Sequence, residues 1–402
     1  MLVGLVGRPN VGKSTFFKAA TLADVLIANY PFATIKANSG MAYVKIEDLA
    51  PEFGKVSNPR EGFVKDGKNA KGEILKGKWR FVPFELMDVA GLVEGASEGR
   101  GLGNAFLNDL AGADAFIHVV DMSGETDAEG KPCEDFYPGE GLEVIERELD
   151  KWYYGILIKV WKTFARTVEM QKQKLAVAVA KQFSGLKVSE DDVKDVIRKN
   201  NFDAEKPSAW KEEEVFRFAR ELRRFSKPMI IAANKMDRPK SRENFEKMKN
   251  DFDYEMIPCF AEGELALREA DKHGLIEYVP GEDDFEVMRE LSDKQKSALE
   301  EIKKEMKEFG GTGLQKILNK IVLEILEMIA VFPAGDKLVD SKGNVLPDCY
   351  LMKKNSTALD FAFRLHTDIG KNFVKAIDIR TKRAVGKEHE LKHRDGLEIV
   401  TR

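Results

Sequence analysis

Apolar residues follow different periods along the chain, and the changes between them divide it into regions. The first third contains short apolar runs bounded by glycine, proline and polar residues, which is typical of buried parallel strands. The clearest runs are residues 2–6, 81–87 and 116–120, and residues 228–233 continue the series. Because helix-like segments separate these runs, the pattern predicts an α/β fold with a doubly wound, mostly parallel sheet.

Between residues 123 and 225 the apolar residues recur three and four positions apart, the spacing of an amphipathic helix. Residues 143–180 predict one long helix, and residues 188–200 and 209–225 predict two more. An α/β unit of minimal size would bridge this interval with one helix and short loops. We therefore expect a helical hairpin insertion at residues 123–225.

The C-terminal part of the chain differs in its sequence pattern from the two regions before it. Residues 292–309 and 314–330 predict two helices that close the first domain, which is expected at residues 1–122 and 226–330. From residue 331 onward, short β-prone runs alternate with glycine and polar turns, and one helix intervenes. The sequence therefore predicts a separate small domain at residues 331–402. Its predicted strands and helix are at 349–352, 373–378, 396–400 and 357–365.

Composition adds few constraints. A chain of 402 residues usually contains more than one folding unit. Its 64 basic and 68 acidic residues give no global argument for nucleic-acid or membrane binding. The cysteines Cys133, Cys259 and Cys349 lie far apart, which argues against a disulfide framework or a zinc site and favours a reducing compartment. No apolar run is long enough to span a bilayer, so a cytoplasmic protein is expected.

The first strand leads into a glycine-rich loop and then into a helix-like segment. Residues 7–14, GRPNVGKS, match the phosphate-loop pattern in the strand–loop–helix context that distinguishes it from an ordinary glycine turn. Gly7 and Gly12 permit a backbone whose N–H groups converge on phosphate, at the N-terminus of the helix. Lys13 is predicted to reach the β and γ phosphates, and the Ser14 hydroxyl to bind Mg²⁺. The predicted nucleotide contacts in this loop are Arg8, Pro9, Asn10, Val11, Gly12, Lys13, Ser14 and Thr15.

Two later segments supply groups for the metal and the γ-phosphate. The strand at residues 81–87 ends in Asp88, whose carboxylate can hold Mg²⁺ through water, and the Gly91 N–H can approach the γ-phosphate. Thr34 lies in a proline-punctuated segment and is a candidate switch residue that closes on Mg²⁺ and opens after hydrolysis. The predicted catalytic residues are Lys13, Thr34 and Gly91. The predicted metal ligands are Ser14, Thr34 and Asp88.

A further strand ends in the sequence NKMD, residues 234–237. The Asp237 carboxylate can accept two hydrogen bonds from the N1–H and exocyclic amine of guanine, a donor pair that adenine does not present. Lys235 would cover the base, and Asn234 would brace the loops. After one more strand, Ala261 would offer its backbone N–H to the guanine carbonyl.

These motifs, in this order, resemble those of the Obg-related GTPases. The glycine-rich continuation at residues 88–104 is similar to that of the YchF-like branch. The C-terminal region resembles the TGS domain, a ubiquitin-like β-grasp module found in GTPases and synthetases that work with RNA. The resemblance covers most of the chain apart from the insertion. It implies hydrolysis of GTP to GDP and phosphate with Mg²⁺, and a mobile second switch formed by Gly95, Gly99, Gly101 and Gly103.

The chain departs from related patterns at three positions. Leu92 follows Gly91 where many small GTPases have a water-orienting glutamine, so hydrolysis is expected to be slow unless a group elsewhere in the chain, a bound cation or a partner contributes. YchF-like proteins often have glutamate at the position of Asp237 and then prefer ATP, whereas aspartate favours guanine. Phe260 replaces the serine that usually precedes Ala261.

The expected partner is a ribosome or a structured RNA, contacted through the insertion and the TGS domain by a monomeric nucleotide switch that binds no membrane. Basic residues that could touch phosphates, or could form a merely solvated face, occur in both regions. Those of the insertion include Arg166, Lys172, Lys174 and Lys181, and those of the tail are Lys371, Lys375, Arg380, Lys382, Arg383, Lys387, Lys392 and Arg394. Two alternatives stay open, namely an ATPase of the same fold and a mainly non-catalytic ribosome-associated binding switch.

Overall fold

A computed structural model describes residues 1–21, 39–88, 95, 110–127, 129–335 and 337–402. The chain divides into two compact units, each assembled from several stretches of sequence. Unit 1 contains Met1–Gly40, Glu85–Glu269 and Lys294–Ile317, and unit 2 contains Met41–Phe84, Ala270–Asp293 and Leu318–Arg402. This division differs from the predicted domains, which placed residues 41–84, 270–293 and 318–330 in the first domain.

The strands within the described residues are numbered along the chain. They are β1 (Leu2–Val6), β2 (Ser39–Glu47), β3 (Phe63–Lys68), β4 (Ile74–Asp88), β5 (Ala115–Asp121), β6 (Met229–Asn234), β7 (Met256–Pro258), β8 (Ile276–Tyr278), β9 (Phe285–Val287), β10 (Met328–Pro333), β11 (Tyr350–Lys353), β12 (Phe373–Asp378), β13 (Ala384–Val385) and β14 (Asp395–Thr401).

The α-helices of the same residues are numbered in the same way. They are α1 (Lys13–Thr21), α2 (Pro138–Met170), α3 (Leu175–Gln182), α4 (Glu190–Asn200), α5 (Glu212–Ser226), α6 (Ser241–Asp251), α7 (Ala261–Lys272), α8 (Asp293–Phe309), α9 (Leu314–Asn319), α10 (Ala358–Leu365) and α11 (Thr367–Lys371). None of them is both long enough and apolar enough to cross a bilayer.

Unit 1 contains a parallel sheet in which β1 lies between β5 and the last residues of β4, followed by β6 and β7. The strands β5 and β6 are buried along their whole length, as expected for a sheet covered on both faces. Leu5 is paired with Asp88, and Asp121 is paired with Asn234. The predicted mostly parallel sheet is confirmed, and two of the predicted motifs begin at the carboxyl ends of its strands.

The insertion is helical, but its first helix is shorter than predicted. Helix α2 ends at Met170, and Lys172 adopts a positive φ of 50° before α3 begins at Leu175. The periodic pattern at residues 143–180 concealed this turn, since apolar spacing alone does not register a short interruption. Helices α2 and α5 are joined by the buried Arg223, whose guanidinium bonds to Glu146 and Asp150 at 2.9 and 2.6 Å.

Unit 2 contains a five-stranded sheet in the order β11–β10–β14–β12–β13, with β10 and β14 parallel. Helix α10 begins with a capping box between Thr357 and Asp360. The helix predicted at residues 314–330 is wrong only at its end, because α9 continues as a π-helix over Lys320–Ile325 and Met328–Pro333 then forms strand β10. A short apolar run fits a buried helix and a buried strand equally well, and here pairing with two neighbouring strands determines the outcome.

Residues 41–84 belong to unit 2, and polar contacts join them to its C-terminal part. Arg80, only 1% exposed, donates hydrogen bonds of 2.9 Å to the carbonyls of Leu346 and Pro347. Arg60 bonds to Asp340 and Asp348 at 2.6 and 2.8 Å. These partners are more than 260 residues apart in sequence, which is why the sequence pattern did not reveal the association.

Candidate functional site

The glycine-rich loop joins β1 to α1 and requires glycine at both ends. Gly7 has a φ of +150°, and a Cβ there would lie 2.5 Å from the carbonyl oxygen of Val119. Gly12 has a φ of +93°, and a Cβ there would lie 2.3 Å from Nδ2 of Asn234. Both substitutions would combine a strained backbone with a steric overlap. The loop is therefore held closely against neighbouring strand ends, with the N-terminus of α1 behind it.

Lys13 is the first residue of α1, and its side chain is largely buried at 7% exposure. The ammonium donates a 2.8 Å hydrogen bond to the carbonyl oxygen of Arg8, across the loop. Burial lowers the pKa of Lys13, while the nearby Asp88 carboxylate opposes that shift. The ammonium thus lies inside the loop, where an anionic group would be its natural partner.

Asp88 and Ser14 meet at the edge of this loop. The Ser14 hydroxyl donates a 3.2 Å hydrogen bond to Oδ2 of Asp88, and Oδ1 is buried without a hydrogen-bond donor among the described residues. Burial raises the pKa of Asp88, with Lys13 and Ser14 acting in the opposite direction. A buried carboxylate oxygen without a partner, beside a hydroxyl, is a donor set suited to Mg²⁺ and its water ligands.

Asn234, at the end of β6, connects two other loops through one buried amide. Its Nδ2 donates a 2.9 Å hydrogen bond to the carbonyl of Val11, and its Oδ1 accepts a 3.0 Å hydrogen bond from the backbone N–H of Ala261. The first contact agrees with the predicted bracing role. The second differs from the expectation for Ala261, because the N–H expected to face guanine is engaged by Asn234. Phe260 is buried, and its own N–H donates to the Thr312 carbonyl.

The turn after β6 presents Asp237 and fixes Lys235. Lys235 has a φ of +63°, its carbonyl accepts a 2.7 Å hydrogen bond from Ser241, and its ammonium lies 2.7 Å from Oδ2 of Asp121. The Asp237 side chain is 33% exposed, and its nearest cation is Arg238, at 3.5 Å from Nε to Oδ2. The carboxylate of Asp237 is therefore accessible to an external pair of donors.

The structure brings together Lys13, Ser14, Asp88 and, through Val11, Asn234. Thr34, Gly91 and Leu92 lie outside the described residues, so their predicted roles stay predictions. Of the other predicted nucleotide contacts, Pro9 lies within the loop and Thr15 lies on the first turn of α1.

Two side chains of the loop point to a segment that the sequence analysis did not single out, residues 121–137. Arg8 donates a hydrogen bond to the carbonyl of Asp127 and stacks over the Phe136 ring at 4.5 Å. Asn10 donates a 2.9 Å hydrogen bond to the carbonyl of Gly130. The side chains of Arg8 and Asn10 thus support the loop from outside, and the predicted nucleotide contacts of these two residues stay predictions. Burial lowers the pKa of Arg8.

Three known families match successive parts of the chain. The family described as a 50S ribosome-binding GTPase matches residues 2–158, and the G4 motif-containing domain of Obg-like GTPases of the YGR210 type matches residues 232–336. The TGS domain matches residues 328–401. The matched regions contain the glycine-rich loop, the NKMD turn and the five-stranded sheet of unit 2.

Relatives extend over the whole chain. A GTP-binding protein of Methanocaldococcus jannaschii is 46% identical over 100% of this chain and 99% of its own length. A protein of Bacillus subtilis named ribosome-binding ATPase YchF is 29% identical, covering 94% of this chain and 87% of its own.

A crystal structure of a GTP-binding protein from Pyrococcus horikoshii superposes over 100% of both chains with a TM-score of 0.77 and 39% identity. The predicted P-loop fold with its helical region and C-terminal β-grasp domain is confirmed. The chain belongs to the Obg-related family of GTP-binding proteins, in its YchF-like branch, and carries a C-terminal TGS domain.

Proposed function

We propose that the chain binds Mg-GTP, hydrolyses it to GDP and phosphate, and uses the nucleotide state as a switch on a ribosome or a structured RNA. The observation that supports this most directly is the arrangement around Asn234. One buried amide holds the glycine-rich loop on one side, and the turn that follows it presents the accessible Asp237 carboxylate. The same strand end would therefore position groups for phosphate and for guanine.

The phosphates would be bound by the loop at residues 7–14. Backbone amides at the N-terminus of α1 favour an anion there, and the Lys13 ammonium would exchange its bond to the Arg8 carbonyl for phosphate oxygens. The metal ligands would be the Ser14 hydroxyl and Asp88, the latter directly or through water. When bound there, Mg²⁺ would neutralise charge that develops on the phosphate oxygens.

In the proposed reaction, a water oxygen bonds to the γ-phosphorus while the bond from that phosphorus to the bridging oxygen of GDP breaks. Lys13 stabilises the negative charge that moves onto the leaving oxygen, and the loop amides act in the same way. We propose Thr34 and Gly91 as the groups that report the γ-phosphate. Because leucine at position 92 cannot orient water, the reaction is expected to be slow without a partner or a bound cation.

The rival nucleotide is ATP, since the Bacillus subtilis relative is named an ATPase. Asp237 favours guanine for a chemical reason: its two oxygens match the adjacent N1–H and amine donors of guanine, and adenine has no such pair. The accessible position of Asp237 leaves it available for this contact.

Competition between nucleotides provides the test. Purified protein with Mg²⁺ and a fluorescent GDP analogue should release the analogue at GTP concentrations at least about 100-fold below those needed for ATP, because adenine has no donor pair for the two oxygens of Asp237. The measurement is the fluorescence anisotropy of the analogue during titration. Equal displacement by the two triphosphates would contradict the proposed guanine preference, and no binding of the analogue would refute the proposed function.

The proposed RNA contact rests on a segment of the insertion, residues 151–189, that is nearly free of acid. Glu169 is its one acidic residue, and both its oxygens accept hydrogen bonds from Ser208, at 2.7 and 2.8 Å. Lys151 and Lys187 have ion-pair partners. The other basic residues form no ion pair with any described residue and are exposed, and we name them the basic segment: Lys159, Lys162, Arg166, Lys172, Lys174 and Lys181.

Within the basic segment, Lys159, Lys162 and Arg166 are three and then four residues apart on α2, so they share one face of the helix. Cations without carboxylate partners break no ion pair when they bind phosphate. The release of counterions from the nucleic acid then drives association. The TGS tail is partly neutralised instead, since Arg380 and Arg394 both bond to Glu52 at 2.6 Å. We therefore assign the larger electrostatic contribution to the basic segment.

Neutralising this face should weaken RNA binding in a salt-dependent way. For Lys159→Gln, Lys162→Gln and Arg166→Gln combined, the slope of log affinity against log salt should fall by about 3, roughly one per lost phosphate contact. The measurement is co-sedimentation with ribosomal particles over a salt series, in a non-hydrolysable GTP analogue.

The matched control changes the same charge at basic residues of the insertion that already have ion-pair partners. Lys194→Gln, Arg198→Gln and Arg220→Gln combined should leave the slope nearly unchanged, since these cations are paired with Glu190, Asp195 and Glu221. An equal loss in the control would show that net charge alone matters. An unchanged slope in the first variant would exclude this face as the RNA contact.

A further inference from the structure

We infer that Asp121 is a positioning residue of the guanine site, which acts by holding the Lys235 ammonium where its side chain can lie along a bound base. The inference rests on the proposed GTP binding, because Lys235 is the residue expected to cover guanine. Asp121 is the last residue of β5 and pairs with Asn234, the first residue of the NKMD sequence. Because β5 and β6 are neighbours in the sheet, Asp121 lies beside the turn that would recognise the base.

The Asp121 carboxylate is 1% exposed and accepts hydrogen bonds from four donors. Oδ1 accepts from the backbone N–H and the hydroxyl of Ser123, at 3.0 and 2.6 Å. Oδ2 accepts from the Thr126 hydroxyl at 3.0 Å and from the Lys235 ammonium at 2.7 Å. Three donors belong to the turn that follows β5, and the fourth comes from 114 residues away. Lys235 is thus the one long-range donor of this carboxylate among the described contacts.

Lys235 is restrained at both ends by these contacts. Its backbone adopts a left-handed φ of +63°, and its carbonyl accepts hydrogen bonds from the Ser241 hydroxyl and the Arg238 N–H. A free lysine side chain loses rotamer entropy when it is immobilised. Because Asp121 fixes the ammonium beforehand, most of that loss is incurred on folding, and binding of a base costs correspondingly less.

The turn that supplies the other donors also touches the glycine-rich loop. Thr126 precedes Asp127, whose carbonyl accepts from Arg8, and Gly130 accepts from Asn10. A Cβ at Gly130 would lie 2.9 Å from Cβ of Pro9, so the two segments are in close contact. Asp121 therefore connects the segment that supports the phosphate loop with Lys235, the lysine expected to cover the base.

A double-mutant cycle tests whether Asp121 acts through Lys235. Asp121→Asn keeps the shape of the side chain but removes the negative charge, and Lys235→Met keeps the apolar stem but removes the ammonium. Asp121→Asn should weaken GDP binding about tenfold when Lys235 is present, and less than about twofold in the Lys235→Met background, because coupled residues are not additive. Isothermal titration with Mg²⁺ and GDP measures all four proteins.

The same fold-loss in both backgrounds would overturn the inference, since a carboxylate that only stabilises the turn after β5 acts independently of Lys235. Asp121→Glu, which keeps the charge on a longer stem, replaces Asp121→Asn in the cycle if the latter does not fold. Asp135→Asn is the matched control, because this carboxylate of the same segment pairs with Lys240 instead. If the unmodified protein binds no GDP, the proposed function fails; if it binds GDP and the cycle is additive, only the role of Asp121 fails.

Discussion

Replacing Lys13 with alanine is expected to lower the rate of GTP hydrolysis by a factor on the order of 10²–10³, because it removes a preorganised cation from the phosphates. The ammonium is 7% exposed and is held across the loop by the Arg8 carbonyl, so its position is set before the nucleotide arrives. GTP affinity should fall as well, since the same charge acts on the bound ground state. Phosphate release under single-turnover conditions, together with titration of a fluorescent GTP analogue, measures both effects.

Lys18→Ala provides the control for this variant, because Lys18 is an exposed lysine of the same helix. It should change hydrolysis by less than about twofold, as surface substitutions usually do. Thermal unfolding of both variants separates loss of activity from loss of structure. Unchanged nucleotide affinity in Lys13→Ala would contradict the central assumption that the loop at residues 7–14 is the phosphate site.

The second large effect concerns the choice of base. Asp237→Asn is expected to weaken GTP binding by a factor on the order of 10²–10³ and to strengthen binding of xanthosine triphosphate, because the new amide can donate to the carbonyl that replaces the guanine amine. The Asp237 side chain is 33% exposed and its nearest cation is Arg238 at 3.5 Å, so the substitution breaks no buried ion pair. Competition of GTP, xanthosine triphosphate and ATP against one labelled nucleotide gives the three affinities together.

Asp253→Asn is the matched control for the base switch, since Asp253 is an exposed aspartate of the same unit. It should leave all three affinities unchanged. If Asp237→Asn kept the preference of the unmodified protein, Asp237 would not be the guanine-recognising residue. A preference for ATP in both proteins would instead support the ATPase alternative.

Local sequence patterns predicted those parts of the site whose geometry depends on consecutive residues. The strand–loop–helix order around residues 7–14 is one such pattern, and the strands that end at Asp88 and Asn234 are others. Asp121 was overlooked although it carries the same signal as Asp88, a carboxylate at the end of a buried strand. Its importance depends on a partner 114 residues away, which no local pattern reveals.

The fold was predicted less well where one sequence pattern fits two different structures. Residues 328–330 were expected to end a helix but begin strand β10, and only the strand partners in unit 2 distinguish the two outcomes. Strands β3 and β9 were not predicted, because the apolar residues of β3 are confined to its first two positions and β9 has only three residues. Residues 41–84 were assigned to the wrong neighbours for a related reason, because the contacts of Arg80 span 266 residues.

The amide of Asn234 has a thermodynamic consequence for any ligand that touches both loops. A displacement that breaks its donor bond to Val11 also disturbs its acceptor bond from Ala261, since both belong to one rigid planar group. Binding of one ligand to the glycine-rich loop and to the loop at Ala261 is therefore cooperative. By the reciprocity of linked equilibria, any factor by which a bound polyphosphate changed the affinity for a nucleobase would equal the factor by which the nucleobase changed the affinity for the polyphosphate.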